Sequence, residues 1–349
     1  MFDLSFYKGK RVFITGHTGF KGTWLCCILA KAGAFVTGFS KEPPTDPSLF
    51  QLSGIASQIH SVIGDVRDLE ALQKAFNESD PEIVFHLAAQ PLVIDSYQNP
   101  VYTYETNVMG TVHILECIRH SKSVHSFLNV TTDKVYENDE SGTAFTEDQK
   151  LNGYDPYSNS KSCSELVTYS YNQSFLKEKG IAVSTARAGN VIGGGDFAAN
   201  RIIPDCVRAA IKKEAIIVRN PNSIRPFQHV LEPLFVYLMI AQRQAENADF
   251  AGCYNVGPDD SDCVTTGELA ELFCREWGEG QTFLAQMKKG PHEASYLKLD
   301  CTKLKNTFNW RPHFHIQEAI QMTVAFSKVY AKGQNVRGIM DLQIDEMLK

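Results

Sequence analysis

The sequence has no CxxC pair, no apolar run near the ~20 residues of a membrane span, no internal repeat and no low-complexity tract. These absences exclude a spanning helix, a solenoid and a paired-cysteine zinc framework. The cysteines number 9, an odd count. Cys26, Cys27, Cys117, Cys163 and Cys274 lie inside apolar periodic segments, so they read as buried, reduced thiols rather than disulfides or zinc ligands. Basic residues are also few: 34 Lys and Arg against 40 Asp and Glu, a formal net charge of -6. No basic stripe stands out, which argues against a nucleic-acid partner. The first ten residues carry Asp3 and no long apolar stretch, unlike a signal peptide. A cytoplasmic protein without a membrane partner is expected.

At 349 residues the chain exceeds what one core usually fills, ~250–300 residues, and two lobes are expected. In the first half, short β-branched runs alternate with helical periodicity. Strands are read at 11–15, 34–39, 59–63, 82–88, 126–131 and 182–186, and helices at 20–33, 68–77, 101–120 and 157–179. Near-continuous apolar strands separated by helices predict an α/β fold: a doubly wound parallel sheet, Rossmann-like, with helices on both faces. After Ala188 the pattern breaks into a loop-rich stretch around Gly193-Gly194-Gly195, and a late strand at 253–256 returns. The expected division is a dinucleotide-binding domain over 1–188, rejoined by 227–258, and a smaller, mostly helical substrate lobe over 189–226 and 259–349.

The first strand runs into Thr15-Gly16-His17-Thr18-Gly19-Phe20-Lys21-Gly22, where a helix begins. Gly16 permits a tight turn, Gly19 lets backbone amides approach a pyrophosphate, and Gly22 lets helix and strand pack closely. The helix N-terminus then faces the anion with free N–H groups and partial positive charge. His17 and Phe20 complete the loop. Other cofactor candidates lie at strand ends. Asp65-Val66 offers a carboxylate for an adenine amino group, and Leu87-Ala88-Ala89 leaves room beside the dinucleotide. Asn107, on the long helix, is either a cofactor ligand or a brace for a neighbouring strand. The end of the second strand reads Gly38-Phe39-Ser40-Lys41, without the acid that usually binds the ribose hydroxyls of NAD. Ser40 can bind a ribose, and Lys41 could accept a 2′-phosphate, so NAD and NADP both remain open here.

Tyr157 and Lys161 stand four apart at a helix start, on one face. A phenol of pKa about 10 is a poor base at neutral pH, but a nearby cation favours the phenolate. So activated, Tyr157 can take a proton from a substrate hydroxyl while a nicotinamide accepts the hydride. The fifth strand ends in Thr132-Asp133-Lys134, where ligands of open α/β sheets lie. Thr132 can bind the reacting hydroxyl, and Asp133 with Lys134 adds an acid and a cation that a simple dehydrogenase does not need.

With these pieces the sequence resembles the extended short-chain dehydrogenase/reductase family and, within it, the nucleotide-sugar 4,6-dehydratases. Besides the glycine loop, the resemblance rests on Thr131-Thr132-Asp133-Lys134-Val135-Tyr136-Glu137-Asn138 and Asp155-Pro156-Tyr157-Ser158. Ala188-Gly189-Asn190-Val191-Ile192-Gly193-Gly194-Gly195-Asp196, Arg225-Pro226-Phe227-Gln228-His229-Val230 and Leu297-Lys298-Leu299-Asp300-Cys301 extend it. Most 4,6-dehydratases carry Asp-Glu where this chain has Asp133-Lys134, and the Lys looks like the CDP-glucose branch. The resemblance implies a bound NAD regenerated at each turnover and a nucleotide-sugar substrate held by Gln90, Ser96, Asn190, Arg201, Arg225 and His292. It implies removal of water by internal redox chemistry, the alternative being 4-epimerisation or dehydration of another nucleotide-sugar. The chain departs from the family at Ile94, where Arg is usual, and at Phe197 and Phe227, where Trp is usual. The two long helices over 101–120 and 157–179 predict a homodimer, with a tetramer as the other assembly open.

Overall fold

The computed structural model describes residues 3–138, 140, 142–286 and 296–349. Its centre is a seven-stranded parallel sheet. The strands are β1 (Arg11–Thr15), β2 (Phe35–Ser40), β3 (His60–Ile63), β4 (Ile83–His86), β5 (Ser126–Thr132), β6 (Ala182–Ala188) and the late strand Cys253–Val256. Their spatial order is Cys253–Val256, β6, β5, β4, β1, β2, β3. Chain order reverses direction between β1 and β4, so the carboxyl ends of these two strands open the crevice where ligands bind in such sheets.

Successive strand residues point to opposite faces, and both faces are apolar. On one face Val12 and Ile14 of β1, Ile83 and Phe85 of β4, and Leu128 and Val130 of β5 pack under the helices α1 (Phe20–Lys31) and Leu231–Glu246. On the other, Phe13, Val84 and Phe127 meet Phe76, Ile114 and Leu115 from the helices Leu69–Ser79 and Gly110–His120. A further core lies beyond the sheet. Ile203 and Cys206, Leu269 and Phe273, and Ile320 and Val324 come together there from three helices, with Phe227 among them.

The long helix expected over 101–120 is helical from Pro100 to His120, but its middle turn, Glu105–Met109, is a π-turn. The helix expected over 157–179 is likewise α-helical over Pro156–Tyr171, then π over Asn172–Leu176 and 3-10 over Lys177–Lys179. The C-terminal stretch is helical as expected, yet it does not all belong with the distal core. Val336, Met340 and Ile344 of the last helix, Val336–Met347, join the core that contains Trp24 of α1.

The glycine-rich stretch after β6 is pinned against the core that contains Trp24 and Phe326. Trp24 Nε1 donates to the Gly194 carbonyl at 3.0 Å. A Cβ at Gly194 would lie 1.9 Å from Cγ of Phe326, so only glycine lets this backbone pass. Among the described residues no helix is long and apolar enough to cross a membrane, and all 9 cysteines are unpaired.

Candidate active site

The glycine loop joins β1 to α1. Gly16 has φ +82°, and a Cβ there would lie 2.8 Å from the amide nitrogen of Ala88. A Cβ on Gly22 would lie 2.1 Å from the Gly16 carbonyl oxygen. Gly19 is the N-cap of α1 and supplies no side-chain cap, so the first-turn amides have no side-chain acceptor from it and are placed for an anion. The residues present therefore fit a dinucleotide's pyrophosphate. The loop is anchored from below: Thr15 Oγ1 lies 2.7 Å from His86 Nδ1 and accepts from the Ala88 amide at 3.2 Å.

His17 is turned away from this cradle. Its ring has no exposed surface, lies 2.7 Å from Ser61 Oγ and fills the space a Cβ on Gly38 would need. Burial pushes its pKa down to about 4, so it is a neutral wedge between loop and sheet, and its backbone is what it can offer a ligand.

At the far end of the crevice, Ser40 Oγ lies 2.9 Å from Thr18 Oγ1. Asp65 does not stand open: Arg67 grips it through Nε and Nη2, the latter at 2.8 Å. Hydrogen bonds and charge from Arg67 outweigh a desolvation penalty and hold the Asp65 carboxyl below its usual range. Arg67 also lies 4.7 Å from the centre of the Tyr102 ring, whose other neighbour is Lys41, with Nζ 5.3 Å from the same centre. Sequence reasoning missed Arg67 and Tyr102, because neither belongs to a spaced motif.

Asn107 sits in the π-turn and is a brace. It accepts from the Gln90 amide at 2.8 Å and donates to the Gln90 carbonyl at 3.1 Å and to Ser160 Oγ at 2.9 Å. It thereby ties the segment after β4 to the helix that carries Tyr157. The side chains of Gln90 and Ser96 are consumed locally. Gln90 bonds Leu92 and Thr103, and Ser96, with no exposed surface, donates to the Val93 carbonyl at 2.7 Å. This arrangement does not bring Gln90 or Ser96 to the site as open polar groups.

The reacting groups meet beyond the end of β5. Asp155 caps the helix Pro156–Tyr171, accepting from the Ser158 amide at 3.0 Å, and Pro156 suits its first turn. Tyr157 and Lys161 then face the sheet and are nearly buried. Thr132 Oγ1 donates to Asp133 Oδ1 at 2.9 Å, and Thr132 is near enough to Tyr157 to lower its pKa. Asp133 is 2 % exposed, and its second oxygen has no partner among the described residues. Burial raises the Asp133 pKa against the pull of Lys134, Thr132, Arg225 and Lys21. That favours the protonated carboxyl, the form able to donate a proton.

Tyr157 departs from the expectation of a cation-lowered phenol. Burial pushes it up to about 12, with Thr132 and Arg201 only partly offsetting. Lys161 does not point at it. Its ammonium donates to the Val130 carbonyl at 3.0 Å, and burial brings its own pKa down to about 8. Activation of Tyr157 therefore requires positive charge supplied by a ligand. Beneath the helix, Glu165 accepts from Thr185 at 2.8 Å and pairs with buried Arg187 at 2.9 Å, fixing the helix on β6.

Of the groups expected at a substrate diphosphate, Arg201 pairs with Asp196 at 3.0 Å and is close enough to influence Tyr157. Arg225 is 7 % exposed, donates to the Ile224 carbonyl at 2.9 Å and influences Asp133. Asn190 lies between Gly189 and Val191 where the chain leaves β6, its carbonyl accepting from the Gln228 amide at 3.0 Å. His292 lies outside the described residues. Phe227 belongs to the distal core rather than to an open wall, and Phe197 packs on Tyr330 with ring centres 5.0 Å apart.

The family model for GDP-mannose 4,6 dehydratase matches residues 13–323. The CDP-glucose 4,6-dehydratase of Salmonella typhimurium is 45% identical over 342 residues, covering 96% of this chain and 95% of that one. Among solved structures, an epimerase of Methanothermobacter thermautotrophicus superposes with a TM-score of 0.80 at 22% identity, covering 96% of each chain. The dTDP-glucose 4,6-dehydratase of Bacillus anthracis, solved with NAD, gives 0.77 at 21% identity over 93% of this chain and 98% of that one. The two structures share the fold. The family match spans the sheet, the glycine loop and the Tyr157 helix alike, and the chain belongs to the GDP-mannose 4,6-dehydratase family.

Proposed function

We propose that this chain is a hydro-lyase that uses tightly bound NAD to convert CDP-glucose into CDP-4-keto-6-deoxyglucose and water. The observation that carries the reading is Asp133: a buried carboxyl with one oxygen held by Thr132 and the other without a partner among the described residues, close to Tyr157. A 4-epimerase needs Tyr157 and Lys161 but has no leaving group to protonate. The choice of CDP-glucose rests on the relative of that name at 45% identity and on Lys134 beside Asp133.

Gly16, Gly19, Gly22 and the amides at the start of α1 would hold the dinucleotide, and Ser40, Asp65, Val66, Leu87, Ala88, Ala89 and Lys161 are the further residues that would bind it. When bound, the nicotinamide supplies a hydride acceptor, the positive charge that lowers Tyr157, and later the hydride donor. Tyr157 takes the proton of the sugar 4-hydroxyl, with Thr132 holding that oxygen. The resulting 4-ketone acidifies the C5 hydrogen. That proton passes to a water, since Tyr157 already carries the proton of the 4-hydroxyl, and Lys134 stabilises the enolate that forms. Asp133 protonates the 6-hydroxyl, which departs as water, and C5 regains a proton as C6 is reduced. Net change is the loss of one water. Arg201 and Arg225 bind the nucleotide diphosphate through their planar forks, with Asn190 beside them, in a lobe built by 189–226 and the distal helices.

The test is incubation with CDP-, dTDP-, UDP- and GDP-glucose and the mass of each product. Loss of one water from CDP-glucose is expected. An unchanged mass with inverted C4 configuration would instead identify an epimerase.

The assembly proposed is a homodimer through the two long helices. Leu166 and Tyr169 of the helix Pro156–Tyr171 are 54% and 66% exposed, and Val101 and Met109 of the other are 69% and 44% exposed. Pairing these faces across a two-fold axis buries them in a four-helix contact. Sedimentation at micromolar concentration should give a dimer that Leu166→Asp weakens. A monomeric native protein would contradict the assembly.

A further inference from the structure

Glu165 anchors a helix, and it also stands where its charge reaches the candidate site. Tyr157, Lys161 and Glu165 follow at four-residue intervals on the helix Pro156–Tyr171, so all three share the face turned to the sheet. Two of them hold consecutive residues of β5. Lys161 Nζ donates to the Val130 carbonyl at 3.0 Å, and Glu165 accepts from the Thr131 hydroxyl. The other Glu165 oxygen accepts from Thr185 Oγ1 at 2.8 Å and from Arg187 Nη2 at 2.9 Å. Both oxygens accept and neither donates, which is the bonding pattern of a carboxylate. Glu165 and Lys161 are 3 % and 4 % exposed, so water screens the two charges poorly from each other. Arg187 is itself held by other groups, with Nη1 donating to the Tyr136 hydroxyl and to the Glu147 carbonyl, each at 2.9 Å.

The surroundings of the Lys161 ammonium otherwise work against its charge. Burial lowers its pKa to about 8, and Glu165 is the opposing charge that raises it. Among the described residues no second carboxylate acts on it. Lys21 of α1 is a cation, whose own pKa Lys161 helps to lower. His86 of β4 is a neutral ring, brought down to about 3 by burial and by Lys161. Asp133 at the end of β5 and Arg201 ahead of the Ile202–Lys212 helix act on Lys21 and Tyr157. Tyr157, on the same helix as Lys161, is a phenol whose ionisation burial disfavours.

We propose that Glu165 is a positioning residue that acts through Lys161: its buried carboxylate, one helical turn along the same face, keeps Lys161 an ammonium on the Val130 carbonyl. The inference rests on the reading that Lys161 belongs to a dinucleotide site. An ammonium has three N–H donors. The Val130 carbonyl takes one, and two remain for a ligand. A neutral amine would keep a single free donor and no charge. A merely structural Glu165, there to pair Arg187, would leave the protonation of Lys161 unchanged.

The test follows Lys161 directly, by NMR titration of the full-length protein carrying ¹³C at the lysine Cε atoms. The Lys161 signal is assigned by its absence in Lys161→Arg. In the native protein Lys161 is charged at neutral pH and loses its charge as pH rises through about 8. In Glu165→Gln, which keeps the shape and can still accept from Thr185, the midpoint falls by roughly one pH unit or more. The affinity of that variant for NAD⁺, measured by titration calorimetry, is then weakened at neutral pH and recovers at lower pH as Lys161 regains its proton. Glu165→Asp, which restores the carboxylate, returns the midpoint toward the native one. A Gln variant whose Lys161 titrates as in the native protein overturns the proposal. So does a native Lys161 that is already neutral at pH 7, a result that needs no variant to fold. Native protein that binds no NAD⁺ would instead overturn the dinucleotide reading, and the Lys161 titration would still decide the role of Glu165.

Discussion

Tyr157→Phe is expected to lower turnover by roughly 10²–10⁴-fold, the usual contribution of a positioned acid or base, while leaving nucleotide-sugar affinity nearly intact. The phenol ring of Tyr157 is packed between the end of β5 and its own helix, and Phe fills the same space. Only the hydroxyl is lost. Without it the sugar 4-hydroxyl has no acceptor for its proton, so oxidation does not begin and no reduced cofactor forms. In the native enzyme Tyr157 starts from a pKa of about 12 and must be brought down by the bound cation. The phenolate is present above its lowered pKa and lost as pH falls through it, so the native rate should drop on the acid side, whereas the Phe variant should show no such limb. Rapid mixing with CDP-glucose, followed by the absorbance of reduced nicotinamide, checks this. A Phe variant that retains more than about a tenth of the native rate would remove Tyr157 from the mechanism.

Asp133→Asn should stop the reaction halfway. The amide preserves shape and can still accept from Thr132 Oγ1, which bonds Oδ1 at 2.9 Å in the native protein. It cannot deliver the proton that turns the 6-hydroxyl into water. Oxidation at C4 does not require that proton. Reduced cofactor should therefore accumulate to nearly one per site, and no 6-deoxy product should appear. The two variants then differ qualitatively: neither makes product, and only Asp133→Asn fills with reduced cofactor. An unchanged product rate would leave Lys134 or a water as the acid.

The parts legible in the sequence are those dictated by local rules. Val12, Phe13 and Ile14 announce a strand buried on both faces, and the structure sends Val12 and Ile14 to one core and Phe13 to the other. Gly16 and Gly22 were legible because a Cβ at either would strike backbone. Asp155, Pro156 and Tyr157 mark a helix start, and it begins there. What escaped depends on tertiary partners. Nothing local distinguishes an Asp65 open to an adenine from one gripped by Arg67. The π-turn that aims Asn107 at Gln90 and Ser160 follows from packing between helices, not from spacing. Gln90 and Ser96 lie beside a site-forming strand end, yet their polar atoms are satisfied by the next few residues. Lys21 stands inside the glycine motif, but nothing local announces that its ammonium lies over the Tyr237 ring, on a helix distant in the sequence. Lys161 stands at the spacing that suits a partner of Tyr157, while its ammonium is claimed by the Val130 carbonyl.

The central claim is that the electrons leaving C4 return to C6 of the same sugar molecule. CDP-glucose carrying deuterium at C4 tests it directly. The product should be CDP-4-keto-6-deoxyglucose with deuterium at C6, and a mixture of labelled and unlabelled substrate should give no crossed product, as expected of the proposed cofactor that stays bound between the two steps. Deuterium retained at C4, as in an epimerase, or lost to free reduced cofactor, as in an ordinary dehydrogenase, would contradict the account even if Tyr157 and Lys161 prove essential.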